Sequence, residues 1–281
     1  MTSYGPTGLF VLLWSSGALF ARWGLDYASP FAFLLMRFAL ALAVLLALSP
    51  RWLPAPGRRI PAATTGALMI GGYSIFYLLA LEAGVTPGVL ATALGVQPVL
   101  TLLWLERGFS ALRLGGLALA LAGLVLVVFD SVALSGMGWR GMLFALASLA
   151  CVTAGAILQK RSSDAPLQVL PLQYAVSLVL CALFLPWQPL QVRWEPQLAL
   201  TVAWLGVVIS VVATLLLYRL IQAGNLVNVT SLFYLVPAGT ALLDWLFLGN
   251  RLAPLALAGM AAIVLGLVLV FRVPAGKAAS A

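Results

Sequence analysis

The chain has 281 residues, of which 63% are hydrophobic and 8% charged. Soluble domains carry about 25% charged residues, so a water-soluble fold of this length is excluded. The net charge of +8 is spread as basic residues between apolar blocks, as in Arg51, Arg58 and Arg59 or Lys160 and Arg161, which is the pattern of cytoplasmic loops and not of a nucleic-acid surface.

Taken in chain order, the apolar blocks are Thr7–Trp23, Phe31–Leu48, Ala62–Ala83, Pro87–Leu105, Leu114–Phe129, Gly141–Leu158, Leu167–Leu185, Leu198–Gln222, Val227–Leu248 and Leu255–Phe271. A helix needs about 20 apolar residues to cross the hydrocarbon, and it satisfies its own backbone there. A β-barrel would alternate apolar and polar residues, which Leu114–Phe129 does not. The blocks therefore predict ten transmembrane helices. Short joints such as Gly84 to Gly88 make neighbours antiparallel. The N-terminus has neither a basic leader nor a small-residue cleavage site, so the first block is expected to be retained.

With the N-terminus inside, the inner loops hold Arg51, Arg58, Arg59, Arg107, Arg113, Lys160, Arg161, Arg272 and Lys277, and the outer loops hold Arg22, Arg140, Arg193 and Arg251. Both termini are expected in the cytoplasm. Histidine is absent, and Cys151 and Cys181 lie in separate blocks. No metal, cofactor or disulfide framework is indicated.

The blocks repeat. Pro30 stands seven residues before Arg37, as Pro166 does before Gln173. Leu81-Glu82-Ala83-Gly84 closes the third block and Ile221-Gln222-Ala223-Gly224 the eighth. Gln97-Pro98 lies in the fourth and Val236-Pro237 in the ninth. Gly116 and Gly123 match Gly259 and Gly266, with Leu-Val-Leu-Val following in both. Five helices per copy puts the second copy upside down, the arrangement secondary transporters use to build two gates about a midplane site. The expected architecture is all-α, with ten helices as two inverted five-helix repeats over 1–131 and 138–272 and a short cytoplasmic tail at 273–281.

Trp14-Ser15-Ser16-Gly17, Pro30 with Arg37, Gly95 to Thr101 and Glu106-Arg107 resemble the opening of an EamA domain. Tyr234 to Pro237, Asp244 to Leu252 and Gly259 to Gly266 resemble its closing half. The resemblance spans about residues 7–272 as two tandem copies. It implies the drug/metabolite transporter superfamily, whose bacterial EamA members are ten-helix carriers of the inner membrane exporting amino acids, metabolites or toxic compounds. Asn250 stands where the second copy usually has glutamate, which removes or replaces the ion pair made there. Glu82 and Asp244 also depart from the family pattern.

Charges within the hydrocarbon cost about 2.5–3.5 kcal/mol each and so face protein or a watery cavity. Arg37, two turns into the second helix, is expected in the outer half, with Glu82 and Asp244 near the same side. Arg37 is expected to pair with one of them when an outer gate closes, and the two acids are the candidates for proton coupling. Pro98 and Pro237 are expected to bend their helices. Trp14, Ser15, Ser16, Tyr73, Tyr77, Gln97, Thr153, Gln173, Tyr174, Tyr218, Ser231 and Tyr234 form the expected neutral, amphipathic cavity. For each of them ordinary helix packing is the competing account.

The expected function is a secondary carrier exporting amino acids or other small metabolites by alternating access, as monomer or homodimer, with a small-molecule substrate and the bilayer as partners. Drug efflux and metabolite import are the alternatives within transport. No Walker loop is present to use ATP. An intramembrane enzyme would need clustered acids, histidines or a nucleophile, and a channel would need rings of charge or carbonyls.

Overall fold

The computed structural model describes residues 4–49, 52–85, 87–107, 110–129, 138–187, 190–248, 254–272 and 277–278. The all-helical expectation holds, apart from a two-residue antiparallel pairing described below. Eight described helical stretches are long and apolar enough to cross a membrane, and Val89–Leu105 and Ala111–Val127 are shorter apolar helices.

Helix α1 spans Tyr4–Leu25 and α2 spans Pro30–Leu48. Proline at a first helical position has its φ preset and gives up an N–H that would have no partner there. It opens α2, as it opens α9 (Pro166–Leu183), α10 (Pro196–Ala203) and α14 (Pro254–Arg272). The third block is α3 (Arg59–Gly66), a π segment (Ala67–Gly72) and α4 (Tyr73–Glu82). The eighth is α10, a π segment (Trp204–Ala213) and α11 (Thr214–Ala223). Hydropathy alone does not reveal these segments, which stand at matching places in the two blocks.

The fourth and ninth blocks are discontinuous. The fourth divides into α5 (Pro87–Leu94) and α6 (Gln97–Leu105). The ninth divides into α12 (Leu226–Ser231), a 3-10 turn at Leu232–Tyr234, and α13 (Leu235–Leu248). Pro98 and Pro237 lie just after the interruptions, because a proline ring collides with the carbonyl four residues earlier and the irregular backbone falls on that side. Pro171 lies inside α9 without breaking it. The carbonyl of Leu167, deprived of its helical donor, receives the Ser49 hydroxyl at 2.9 Å instead.

Helix α7 (Ala111–Val127) crosses α14 antiparallel at glycines. A β-carbon at Gly123 would lie 2.6 Å from the Gly259 carbonyl oxygen, and one at Gly116 would lie 2.8 Å from that of Gly266. Only glycine allows such approach. Helix α8 spans Trp139–Arg161 and packs beside the third block, Gly155 against Met69.

Helix ends gather in two sets. In one, Arg58 donates to Asp164 at 2.7 Å, and Lys160 donates to the carbonyls of Gln222 and Gly224 at 3.0 and 2.6 Å. Strand β1 (Glu106–Arg107) pairs in the same set with β2 (Lys277–Ala278), which ties part of the expected short tail to the end of the fourth block. In the other set, Ser29 N donates to Gln191 O at 2.8 Å and Arg193 N to Tyr27 O at 2.7 Å. Trp52, Trp139, Trp187 and Trp194 are all strongly exposed near helix ends, where amphipathic rings favour the membrane–water boundary.

Candidate functional site

The chemistry inside the bundle centres on the second π segment. A π turn widens the helix and disturbs its regular hydrogen bonding, which makes backbone acceptors available to side chains. The Ser210 carbonyl accepts from the Tyr174 hydroxyl at 2.7 Å, and the Ser210 hydroxyl accepts from Arg37 Nε at 2.8 Å. Tyr73 and Tyr174 both lie within reach of the Arg37 charge. The Tyr73 and Tyr77 rings are 5.9 Å apart on one face of α4. On the far side of Tyr174, the Tyr218 hydroxyl donates to Gln173 Oε1 at 2.6 Å, and Gln173 Nε2 donates to Gln159 Oε1 at 3.2 Å.

These bonds and contacts form two polar groups, one of Tyr77, Tyr73, Arg37, Ser210 and Tyr174 and one of Tyr218, Gln173 and Gln159, which meet at the neighbouring residues Gln173 and Tyr174 to make a polar track. Arg37 and Gln173, each seven residues after the proline that opens its helix, sit in its two parts. Among the described residues no carboxylate lies within ion-pair distance of Arg37. Gln159, fully buried, leaves its Nε2 without a partner at one end of the track.

Other expected cavity residues are used differently. Ser15 donates to Val236 O at 3.2 Å, and Thr240 donates to Ser15 O at 3.1 Å, which ties α1 to α13. Ser16 donates to Leu13 O and accepts from Trp204 Nε1 at 3.1 Å. Trp14 packs in an aromatic cluster with Phe10 and Phe233. Ser231 donates to Val227 O in its own helix at 2.6 Å. Gln97 is buried at the start of α6 beside Pro98. Thr153 and Tyr234 are buried with unpartnered hydroxyls, Tyr234 in the 3-10 turn that interrupts the ninth block just before Pro237.

The expected pairing of Arg37 with Glu82 is not formed in this conformation. Arg37 is held by Ser210, while Glu82 is exposed at the end of α4 and lines a cleft of about 430 Å³ with Trp139 and Arg140. The side chain of Asp244 lies outside the described residues, as do Asn250 and Arg251. Ser210, Gln159 and Trp204 escaped the sequence reading because each is an unremarkable residue in an apolar run. A second buried polar cluster also went unread. It joins Glu106 and Arg113 to Asn225 and Asn228 at one end of the bundle. Arg113 had been counted only as a loop charge.

An all-helical bundle with an apolar exterior and a buried polar track defines a polytopic membrane protein. Residues 139–272 match the model of the EamA-like transporter family, part of the drug/metabolite transporter superfamily. Members of that family are transporters, not enzymes. No curated protein matches the chain. A solved crystal structure of a protein superposes with a TM-score of 0.79 over 95% of this chain and 96% of the other at 20% identity, a likeness of fold alone.

Proposed function

We propose that the protein is a secondary carrier that exports small carboxylate-bearing metabolites, amino acids foremost, from the cytoplasm by alternating access. The observation that carries this reading is Arg37. It is a cation set two turns into a membrane helix, held by a serine hydroxyl and flanked by tyrosines, with no described carboxylate to neutralise it. A guanidinium at this depth of a membrane helix is costly. A carboxylate arriving from the cytoplasm would complete a bidentate, charge-assisted pair with it. The tyrosine hydroxyls and Gln173 offer neutral donors and acceptors for the rest of a small polar solute, and Trp14, Gln97, Thr153 and Tyr234 supply further lining once the path opens.

The carrier mechanism rests on reading 1–131 and 138–272 as inverted five-helix copies within ten spans, with both termini in the cytoplasm of a bacterial inner membrane. The glycine crossing supports this reading, since Gly116 meets Gly266 while Gly259, the equivalent of Gly116, meets Gly123, the equivalent of Gly266. A contact that maps onto itself when the copies are exchanged is the mark of a two-fold relation. The matching π segments and the matching breaks before Pro98 and Pro237 support it further. In this mechanism the copies rock about the track, and irregular backbone at the breaks lines the solute path. Glu82 and Asp244 remain the acids available for outer gating or proton coupling.

The test is uptake of a metabolite panel into proteoliposomes, with and without a pH gradient, for the wild type and Arg37→Gln. The reading expects carboxylate-bearing solutes to be taken up and the variant to lose them selectively. Uptake restricted to organic cations would favour drug efflux and refute the carboxylate assignment. Single-channel conductance would refute the carrier mechanism.

A further inference from the structure

The buried cluster at the end of the fourth block joins the two halves of the chain. Arg113 Nη1 donates to Glu106 Oε2 at 2.9 Å, and both residues belong to the first half. Arg113 Nη2 donates to Oδ1 of Asn225 and of Asn228, each at 2.8 Å, and these residues open α12 in the second half. Asn225 Nδ2 returns a hydrogen bond to Glu106 Oε1 at 2.9 Å. Arg113 is 0% exposed and Glu106 5%. Lys160 clasps the carbonyls of Gln222 and Gly224 just before Asn225, and β2 pairs along Glu106–Arg107. The Lys and Arg distribution assigns this end to the cytoplasm.

The repeat identifies the corresponding positions at the other end. Arg113 stands three residues before Gly116, and Ala256 stands three before Gly259. Asn225 follows Gly224 as Val85 follows Gly84, and Asn228 corresponds in the same way to Gly88. Glu106 corresponds to Asn250. Both charged members of the cluster are thus exchanged for neutral residues, and both asparagines for residues whose side chains cannot hydrogen-bond. Val85 is buried instead in an apolar cluster with Ala80, Val89, Leu90 and Ala145.

We propose that Glu106, Arg113, Asn225 and Asn228 form a one-sided latch that closes the inner end of the transport path and holds the resting protein facing outward. The proposal rests on the inverted-copy reading above. Separating the halves at the inner end breaks three hydrogen bonds to charged groups, the two Arg113–asparagine bonds and the Asn225–Glu106 bond, while the Glu106–Arg113 pair stays whole within the first half. Hydrogen bonds to charged groups are the stronger kind. Among the described residues the outer end is tied instead by the backbone pairs Ser29–Gln191 and Tyr27–Arg193 and by the Arg193 guanidinium on the Asp26 carbonyl, with no buried ion pair. The conformational equilibrium is therefore biased by sequence differences between two otherwise matching halves, and a solute must offset the latch before the inner end opens.

The test uses the full chain in oriented proteoliposomes with Cys151→Ala and Cys181→Ala, a single thiol introduced by Ser231→Cys, and a membrane-impermeant maleimide added from either side. Asn225→Val with Asn228→Gly gives the inner end the residues of the outer end. Labelling from the inner side should rise about tenfold while labelling from the outer side, which reports the majority state, falls only slightly, as two-state populations require. Asn228→Ala alone is the milder variant, should the double one fail to fold, and should give a smaller rise. Unchanged inner-side labelling in a folded variant, with only the melting temperature lowered, would make the cluster a structural brace and overturn the latch. A thiol placed by Ala281→Cys separates the two failures, since its labelling from the outer side would overturn the topology and the latch together.

Discussion

Placing a methyl group at the crossing of α7 and α14 tests whether the halves are held at glycine distance. In Gly123→Ala the new carbon would lie 2.6 Å from the Gly259 carbonyl oxygen and 2.8 Å from the Ile263 nitrogen, against ordinary contact at 3.4 Å or more. Both neighbours are backbone, so no rotamer can relieve the clash and the helices must part by roughly 0.8 Å or absorb the strain. Overpacking of this kind costs about 1–3 kcal/mol, while alanine in a helix interior returns up to about 1 kcal/mol over glycine. The net loss should be about 1–2 kcal/mol. Gly115→Ala, eight residues away on the same helix with nothing within 4 Å of the new carbon, should be neutral or slightly stabilising. Unfolding in mixed micelles, followed by the fluorescence of the 9 tryptophans, measures both. A Gly123→Ala protein as stable as wild type, or an equal loss in Gly115→Ala, would refute the close crossing.

Glu106→Gln should destabilise the fold by about 3–5 kcal/mol by leaving a buried guanidinium uncompensated. Asp164→Asn, which breaks the surface pair with half-exposed Arg58, should cost less than about 1 kcal/mol, and the same unfolding assay ranks the two. Ser49→Ala should cost about 1–3 kcal/mol by depriving the Leu167 carbonyl of its donor, and the loss should shrink if Pro171→Ala restores the helical N–H in the same chain. Ser210→Ala removes the acceptor of Arg37. It should impair transport of carboxylate solutes at least tenfold, the kinetic equivalent of about 1.4 kcal/mol, with smaller effects on stability, read by comparing initial rates with melting temperature.

The division between what pattern reveals and what it hides is physical. Hydropathy located the helices because burial in lipid demands long apolar runs, and the glycine pairs stood out because close crossings exclude every larger residue. Tyr73, Tyr77, Gln173, Tyr174, Tyr218 and Arg37 were legible as polar groups where polarity is costly, and the fold brings them together. Ser15, Ser16 and Ser231 looked the same in sequence yet spend their hydroxyls on nearby carbonyls. Whether a serine serves a neighbouring helix or a solute depends on contacts hundreds of positions apart, which no local pattern encodes. Arg113 shows the limit most clearly. It read as a loop charge, and the asparagines that complete its shell come from the other half of the chain.

The π segments in the third and eighth blocks have a consequence for heredity as well as for shape. A helix turns about 100° per residue, and a π turn accommodates one extra residue without breaking the rod. The stretches on either side of Ala67–Gly72, and of Trp204–Ala213, therefore follow two different phases of one helical pattern. A scan of substitutions along either block should find its sensitive positions in two stripes offset by about 100°. Deleting a single residue inside the segment should be tolerated better than deleting one outside it. The same slack gives evolution a place to rotate one wall of the solute path without redesigning the other.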